Sequence, residues 1–128
     1  MKIFFLSFSL VTASLCALCG TARAIEIADL RVEHLTNPLG IDAETPRFSW
    51  KLRDPDATRA QRQTAYHILV ASTPEKLANG TGDIWDSGLV ASAESYLVPF
   101  GGAAAKLQSG AVFHWKVLAR DNAGKASA

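Results

Sequence analysis

Large apolar and polar residues alternate strictly in the stretch RFSWKL, residues 47–52. Phe48, Trp50 and Leu52 fall on one face of a strand with this period, and the polar side chains between them fall on the other. Pro46 opens the stretch at a position where its missing N–H costs little. The pattern predicts a half-buried strand with Trp50 at the centre of its core face.

The same kind of alternation predicts five more strands. They cover residues 25–35, 64–71, 84–90, 95–100 and 112–120. Thr73 before Pro74 is typical of a helix start, so we expect one or two helical turns up to Ala78. Residues 121–124, DNAG, read as a hairpin turn, and the residues after it provide only a stub of a seventh strand.

Three of these strands show a distinct apolar face. The faces consist of Leu30 and Val32 in the first strand, Tyr66, Ile68 and Val70 in strand 64–71, and Phe113, Trp115, Val117 and Ala119 in the last. The opposite face of strand 64–71 is also weakly polar, which indicates a central strand. Six short strands without a long helix predict an all-β antiparallel β-sandwich, with a β-barrel as the alternative.

The first 24 residues have the features of a cleavable signal peptide. A charged start at Lys2 is followed by an apolar run over residues 3–19 and by the A-x-A site at residues 22–24. No stop-transfer cluster follows, so a membrane anchor is the less favoured interpretation. We therefore expect an exported protein, periplasmic or extracellular, whose single domain covers residues 25–128.

Removal of this signal changes the chemistry of the chain. Both cysteines, Cys16 and Cys19, lie within it, so the mature chain has neither a disulfide nor a thiolate metal site. Without Lys2 and Arg23 the 13 basic residues fall to 11 against 12 acidic ones, a net charge of −1. Nothing in this balance suggests binding to a nucleic acid or an anionic membrane, which would need clustered Lys and Arg.

The candidate catalytic and metal-ligating residues form no recognisable motif. His34, His67 and His114 fall on three strands without the short spacing of metal ligands. Ser87 lies in Asp-Ser-Gly without a Gly-x-Ser-x-Gly elbow. The loop aspartates also lack the calcium-loop pattern; they are Asp54, Asp56, Asp83, Asp86 and Asp121. We expect no catalytic, cofactor-binding or metal-binding residue in this chain.

Aromatic residues are the remaining candidates for ligand contact. Trp85 and Tyr96 are suited to stacking on a sugar ring if they are exposed, although a core or interdomain position is favoured for Trp85. Trp50 and Trp115 alternate as core residues do.

The C-terminal part resembles a fibronectin type III domain, an immunoglobulin-like sandwich. The spacing that carries the resemblance is that of Leu107, Phe113, Val117, Ala119, Asp121 and Gly124. That fold usually has a tyrosine at the Phe113 position, whose hydroxyl bonds to the backbone at a corner. Here the hydroxyl is missing, so the corner bond cannot form.

A second resemblance covers nearly the whole mature chain. Residues 30–52, 63–72, 84–102 and 113–124 resemble the N-terminal fibronectin-like domain of bacterial α-L-rhamnosidases. The resemblance implies a secreted glycoside hydrolase that removes terminal L-rhamnose with inversion, through carboxylates roughly 6.5–9.5 Å apart in a downstream helical barrel. None of those carboxylates falls on this sequence.

The resemblance also implies that the chain is the leading piece of a longer protein, with its last strand truncated. Its partners would be the downstream domains of the same polypeptide, and rhamnose-containing glycans would be bound through the parent enzyme. The alternatives are a carbohydrate-binding module in its own right and a generic adhesion or interaction module.

Overall fold

The computed structural model describes residues 23–127, so the predicted signal peptide lies almost entirely outside the described residues. Six strands form two separate antiparallel sheets, of order β1-β2-β5 and β4-β3-β6. The strands are β1 (Glu26–Val32), β2 (Arg47–Arg53), β3 (Gln63–Ala71), β4 (Trp85–Asp86), β5 (Val98–Pro99) and β6 (His114–Asp121). A barrel would require one closed sheet, so the sandwich prediction is confirmed and the barrel alternative is wrong.

The core lies between the two central strands, β2 and β3. Trp50 of β2 is 3% exposed, and its ring centroid lies 5.4 Å from that of Tyr66 on β3. Phe48 and Ile68 are buried beside them, whereas Leu52 is only partly buried. The alternation in the sequence therefore placed Trp50 correctly at the centre of the core.

Strand β3 has neighbours on both edges and is buried on both faces. It pairs with β6 along its length, with Ile68 opposite Val117, and with β4 through Leu69 and Asp86. Leu69, on the face away from Trp50, is also buried. The prediction of a central strand is confirmed.

The first strand departs from the predicted alternation. It ends at Val32, and its pairing with β2 shifts register between Ala28 and Arg31. Asp29, inside this bulge, has a φ of 50°. Because the bulge re-aims the side chains that follow it, Leu30 is 39% exposed while Val32 is buried. The expectation that Leu30 and Val32 share a core face is wrong for this reason.

The two predicted strands in the middle of the chain are much shorter than expected. Strand β4 stops at Asp86 because Gly88, with a φ of 62°, turns the chain. Beyond this turn, Val90 pairs with Tyr66 of β3 in an isolated antiparallel bridge. Strand β5 includes Pro99, which pairs with Arg47 at the edge of its sheet. An edge position accommodates a proline, which has no N–H to donate.

Two short helices connect the strands, α1 (Pro74–Ala78) and a 3₁₀ turn (Ala104–Lys106). The side chain of Thr73 accepts a hydrogen bond from the Lys76 N–H at 3.3 Å, as its predicted capping role requires. Neither helix of residues 23–127 has the length and apolar character needed to span a membrane.

The predicted hairpin turn follows β6. Gly124 has a φ of 78°, and its N–H donates to the Asp121 carbonyl at 3.0 Å. The chain then returns along the end of β6, where the Ser127 N–H donates to the Ala119 carbonyl at 2.7 Å. Within residues 23–127 no strand pairs with the outer edge of β6 between His114 and Leu118.

Candidate functional site

The three histidines lie in different parts of the sandwich. His34 follows β1 and lies beside Tyr96, His67 lies on β3, and His114 opens β6. Among residues 23–127 no group of three or more His, Cys, Asp or Glu side chains is arranged to hold a metal ion. The structure thus brings none of the histidines together.

Asp86 and His67 form a close pair that the sequence spacing did not reveal. The His67 Nε2 lies 2.6 Å from the Asp86 Oδ1. The N–H of Gly88 and the His67 ring hold the pKa of Asp86 below its ordinary value. Ser87 is the next residue, but its hydroxyl accepts from the Ile68 N–H and donates to the Gly88 carbonyl, each at 2.8 Å. The serine is bonded to the backbone and makes no nucleophile–base pair with this histidine.

The loop aspartates each have their own partners and do not converge. Asp54 accepts from the Asp56 N–H at 3.0 Å, and Asp56 accepts from the Arg23 N–H at 2.7 Å. Asp83 accepts from the hydroxyl of Ser72 and from the Lys76 ammonium, each at 2.7 Å. Hydrogen bonds from these two side chains, the lysine first, hold the pKa of Asp83 well below its ordinary value.

Asp121 is the only one of these aspartates that is almost fully buried. Its carboxylate accepts from the N–H groups of Ala123 and Lys125, at 2.9 and 2.8 Å, and from the amide of Gln61 at 3.0 Å. Burial raises the pKa of Asp121, but these donors lower it further, so its net shift is downward. The carboxylate thus fixes the turn after β6.

The two aromatic candidates for sugar stacking have different surroundings. Trp85 packs between Phe48, at a centroid distance of 6.0 Å, and Phe100, at 5.2 Å. A Cβ atom added at Gly101 would lie 2.9 Å from the Trp85 Cζ2. The backbone at Gly101 therefore covers a third side of the indole. Tyr96 is 62% exposed. Only Tyr96 is therefore available to stack on a ligand.

Tyr96 borders a cavity of about 210 Å³ that we call the Tyr96 cleft. It is lined by Asp29, Arg31, His34, Ser49, Trp50, Lys51 and Tyr96. The Asp29 carboxylate contacts the Arg31 Nε at 2.9 Å and the Lys51 Nζ at 2.7 Å. Hydrogen bonds from these two cations, the arginine first, lower the pKa of Asp29 to about 2. The carboxylate is therefore ionised at neutral pH.

The sequence pattern assigned Leu30 and Val32 to one face of the first strand but did not predict the cleft. The register pairs Ala28 with Lys51, which brings the lysine against the bulge that holds Asp29. Polar alternation on two strands was the available signal. Their register and the position of Tyr96 depend on contacts between distant parts of the chain.

A wider depression of about 530 Å³, which we call the Lys106 depression, lies among the segments that follow β3 and precede β4 and β6. It is lined by Ser72, Asp83, Ile84, Lys106, Gln108, Ala111, Val112 and Phe113. The Lys106 Nζ donates to the Asp83 carbonyl at 3.1 Å, and both residues line the depression. Val112 is largely exposed there, as Leu35 and Leu39 are in the loop after β1. These surfaces offer apolar contact area but no catalytic group.

Comparison with known proteins identifies one family. The family model described as "Rha78A-like, N-terminal immunoglobulin domain" matches residues 27–128. An α-L-rhamnosidase from Streptomyces avermitilis is 38% identical over 104 residues, which are 81% of this chain and 10% of that protein. An α-L-rhamnosidase from Formosa agariphila is 36% identical over 92 residues, which are 72% of this chain and 9% of that protein.

Solved structures give the same result. The structure of an α-L-rhamnosidase from Dictyoglumus thermophilum matches with a TM-score of 0.73 and 38% identity, over 80% of this chain and 11% of that one. The S. avermitilis α-L-rhamnosidase complexed with L-rhamnose matches with a TM-score of 0.73 and 38% identity, over 82% of this chain and 10% of that one. The chain thus spans about a tenth of the length of the relatives it matches.

Proposed function

Because the chain belongs to the family of Rha78A-like N-terminal immunoglobulin domains, we propose that it is the non-catalytic N-terminal β-sandwich of an α-L-rhamnosidase. The parent enzyme would hydrolyse terminal L-rhamnose from glycosides. The observation that carries the proposal is the match to α-L-rhamnosidases of which this sandwich is about a tenth. The remaining nine-tenths leave room for a separate catalytic domain.

The arrangement of polar groups supports a role without catalysis. The Ser87 hydroxyl is bonded to the backbone, and the Asp83 and Asp121 carboxylates accept hydrogen bonds from neighbouring groups of the fold. An inverting hydrolase needs two carboxyl groups across an open space of roughly 6.5–9.5 Å that admits a sugar and a water. Neither surface cavity offers such a pair, since each has a single carboxylate in its lining.

Contact with the other domains of the same polypeptide is the role we assign to this sandwich. The Lys106 depression presents exposed apolar area at Val112, and the loop after β1 presents Leu39. The outer edge of β6 offers unpaired backbone groups to an additional strand. Such surfaces suit packing against a neighbouring domain, which buries apolar area and completes a sheet edge.

We also propose that residues 1–24 direct export to the periplasm or the exterior and are then removed. The support is the pattern of a basic start, an apolar run and an A-x-A site in the sequence. Mass spectrometry of the exported protein tests this, with a mature chain beginning at Ile25 as the expected result. A mature species that retains Cys16 and Cys19 would contradict it.

The proposed function is tested with a chromogenic α-L-rhamnoside. The purified chain is expected to release no product above a buffer blank, whereas the complete parent polypeptide is expected to be active. Deleting the sandwich from the parent should lower the melting temperature and the yield of folded enzyme. Turnover by the isolated chain that Asp86→Asn abolishes would show a catalytic site here and overturn the assignment.

A further inference from the structure

The ring of Tyr96 is exposed, yet the backbone on both sides of it is fixed. The Ser95 carbonyl accepts from the Trp50 N–H at 2.9 Å, and the Leu97 N–H donates to the Ser49 hydroxyl at 2.9 Å. Leu97 has a φ of 53°, a conformation that a leucine keeps only where its surroundings impose it. Tyr96 is therefore an exposed ring on a rigid support, which loses little conformational entropy when it binds a ligand.

The polar side of the Tyr96 cleft carries an excess of positive charge. Arg31 and Lys51 share the single carboxylate of Asp29. The adjacent pair, Glu33 and Arg47, is internally balanced, with an Arg47 Nη to Glu33 Oε2 distance of 2.8 Å. One cation in the lining thus lacks a countercharge of its own, which favours an anionic ligand.

The carboxylate of Asp29 restricts which anions can bind in the cleft. An ionised carboxylate accepts hydrogen bonds and has capacity beyond its two cationic partners. A free phosphate or sulfate presents few or no donors and is repelled by this group. A sugar acid presents both a carboxylate for the cations and hydroxyl donors for Asp29. The cavity of about 210 Å³ is below the roughly 300–1,000 Å³ of drug-sized sites, so it suits a single ring.

We infer that the Tyr96 cleft is a saccharide subsite for one uronate ring, which stacks on Tyr96 and places its carboxylate against Arg31 and Lys51. The ring of His34, 5.8 Å from that of Tyr96, forms the adjacent wall. Packing against other domains requires no ligand, so this inference goes beyond the proposed function. A subsite of this kind would hold an acidic glycan close to the parent enzyme.

The test is calorimetric titration of the full chain with trigalacturonate. Its fully methyl-esterified form is the matched neutral ligand, and sodium sulfate is the anion without a ring. We expect the acidic trisaccharide to bind and the ester to bind at least about tenfold more weakly. Sulfate should produce no saturable heat.

Two substitutions locate the site. Tyr96→Ala removes the stacking surface, and Lys51→Gln removes one cation; each should weaken trigalacturonate binding by about tenfold or more. Lys116→Gln on β6 is the matched control, because it changes the net charge equally on the other sheet. It should leave the affinity unchanged. All three side chains can be removed without opening the core, and equal melting temperatures would confirm that the variants fold.

Four results would overturn the inference, three of them from the saccharide titrations. These three are no binding of trigalacturonate in the millimolar range, equal binding of trigalacturonate and its ester, and undiminished trigalacturonate binding by folded Tyr96→Ala. The fourth is saturable sulfate binding that competes with trigalacturonate, which would show that the cleft binds anions without specificity. None of these results bears on the rhamnosidase assay, so the proposed function would stand or fail separately.

Discussion

The side-chain amide of Gln63 links the two sheets across the buried end of the core. Its Oε1 accepts from the Trp50 Nε1–H at 3.0 Å, and its Nε2 donates to the carbonyls of Ser92 and Glu94, at 3.1 and 2.7 Å. Gln63 is 2% exposed, so water has little access to replace these bonds. Gln63→Leu keeps most of the volume and removes both polar atoms. We predict that it destabilises the domain strongly.

The magnitude follows from the groups left without partners. A buried donor without an acceptor, here the Trp50 indole, costs about 1–3 kcal/mol. The two carbonyls are only partly buried, so we assign about 0.5–1 kcal/mol to each. Burial of the apolar surface that leucine adds stabilises the folded state by about 1 kcal/mol. The expected net loss is therefore about 1–4 kcal/mol, a substantial share of a typical stability of about 5–15 kcal/mol.

Guanidinium unfolding followed by circular dichroism measures this loss. The exposed Gln108→Leu is the matched control and should change stability by less than about 0.5 kcal/mol. In a Trp50→Phe background, which lacks the indole donor, Gln63→Leu should cost about 1–3 kcal/mol less than in the parent chain. A loss no larger than that of the control, or an equal loss in both backgrounds, would refute the bridging role.

Three further predictions concern the core, a close contact and pH. Trp50→Ala should cost about 3–5 kcal/mol and leave the chain mostly unfolded by circular dichroism, since it opens a large cavity; a small shift of the midpoint would place the indole at the surface. Gly82→Ala should lower the melting temperature, because its Cβ would lie 2.3 Å from the Trp85 carbonyl oxygen; an unchanged melting temperature would show that the loop yields freely. Asp29 has a pKa lowered from 3.8 to about 2, so its stabilising effect is present above about pH 4 and is lost as the pH falls towards 2; Asp29→Asn should flatten the pH dependence of the melting temperature over that window, and an unchanged dependence would contradict this effect.

The strands in which apolar and polar residues alternate regularly could be predicted from the sequence. The alternation in β2, β3 and β6 identified each strand within a few residues and placed Trp50 in the core. Strand β1 was predicted less well, because the bulge at Asp29 changes which side chains face inwards and leaves Leu30 exposed. Strands β4 and β5 were overestimated, because the length of a short edge strand depends on its partner rather than on its own pattern.

The candidate site was predictable only in part. The sequence named Tyr96 as a ring suited to stacking, but not whether it was exposed. Its exposure depends on Ser49 and Leu97, which are 48 positions apart and joined by one hydrogen bond. The partnership of Lys51 with Asp29 depends likewise on strand register and on the bulge. Single-sequence patterns contain no information on such pairings, which explains why the cleft was missed.

The core and the Tyr96 cleft share one support, the segment of residues 92–97. Gln63 holds the start of this segment through the Ser92 and Glu94 carbonyls, and β2 holds its end through the Trp50 N–H and the Ser49 hydroxyl. Trp50 thus contributes its indole to the core and its backbone to the anchoring of the loop. Because the same contacts stabilise the sandwich and fix Tyr96, the cleft keeps its shape as long as the core is intact. A surface site built this way needs no further structure of its own to be preorganised.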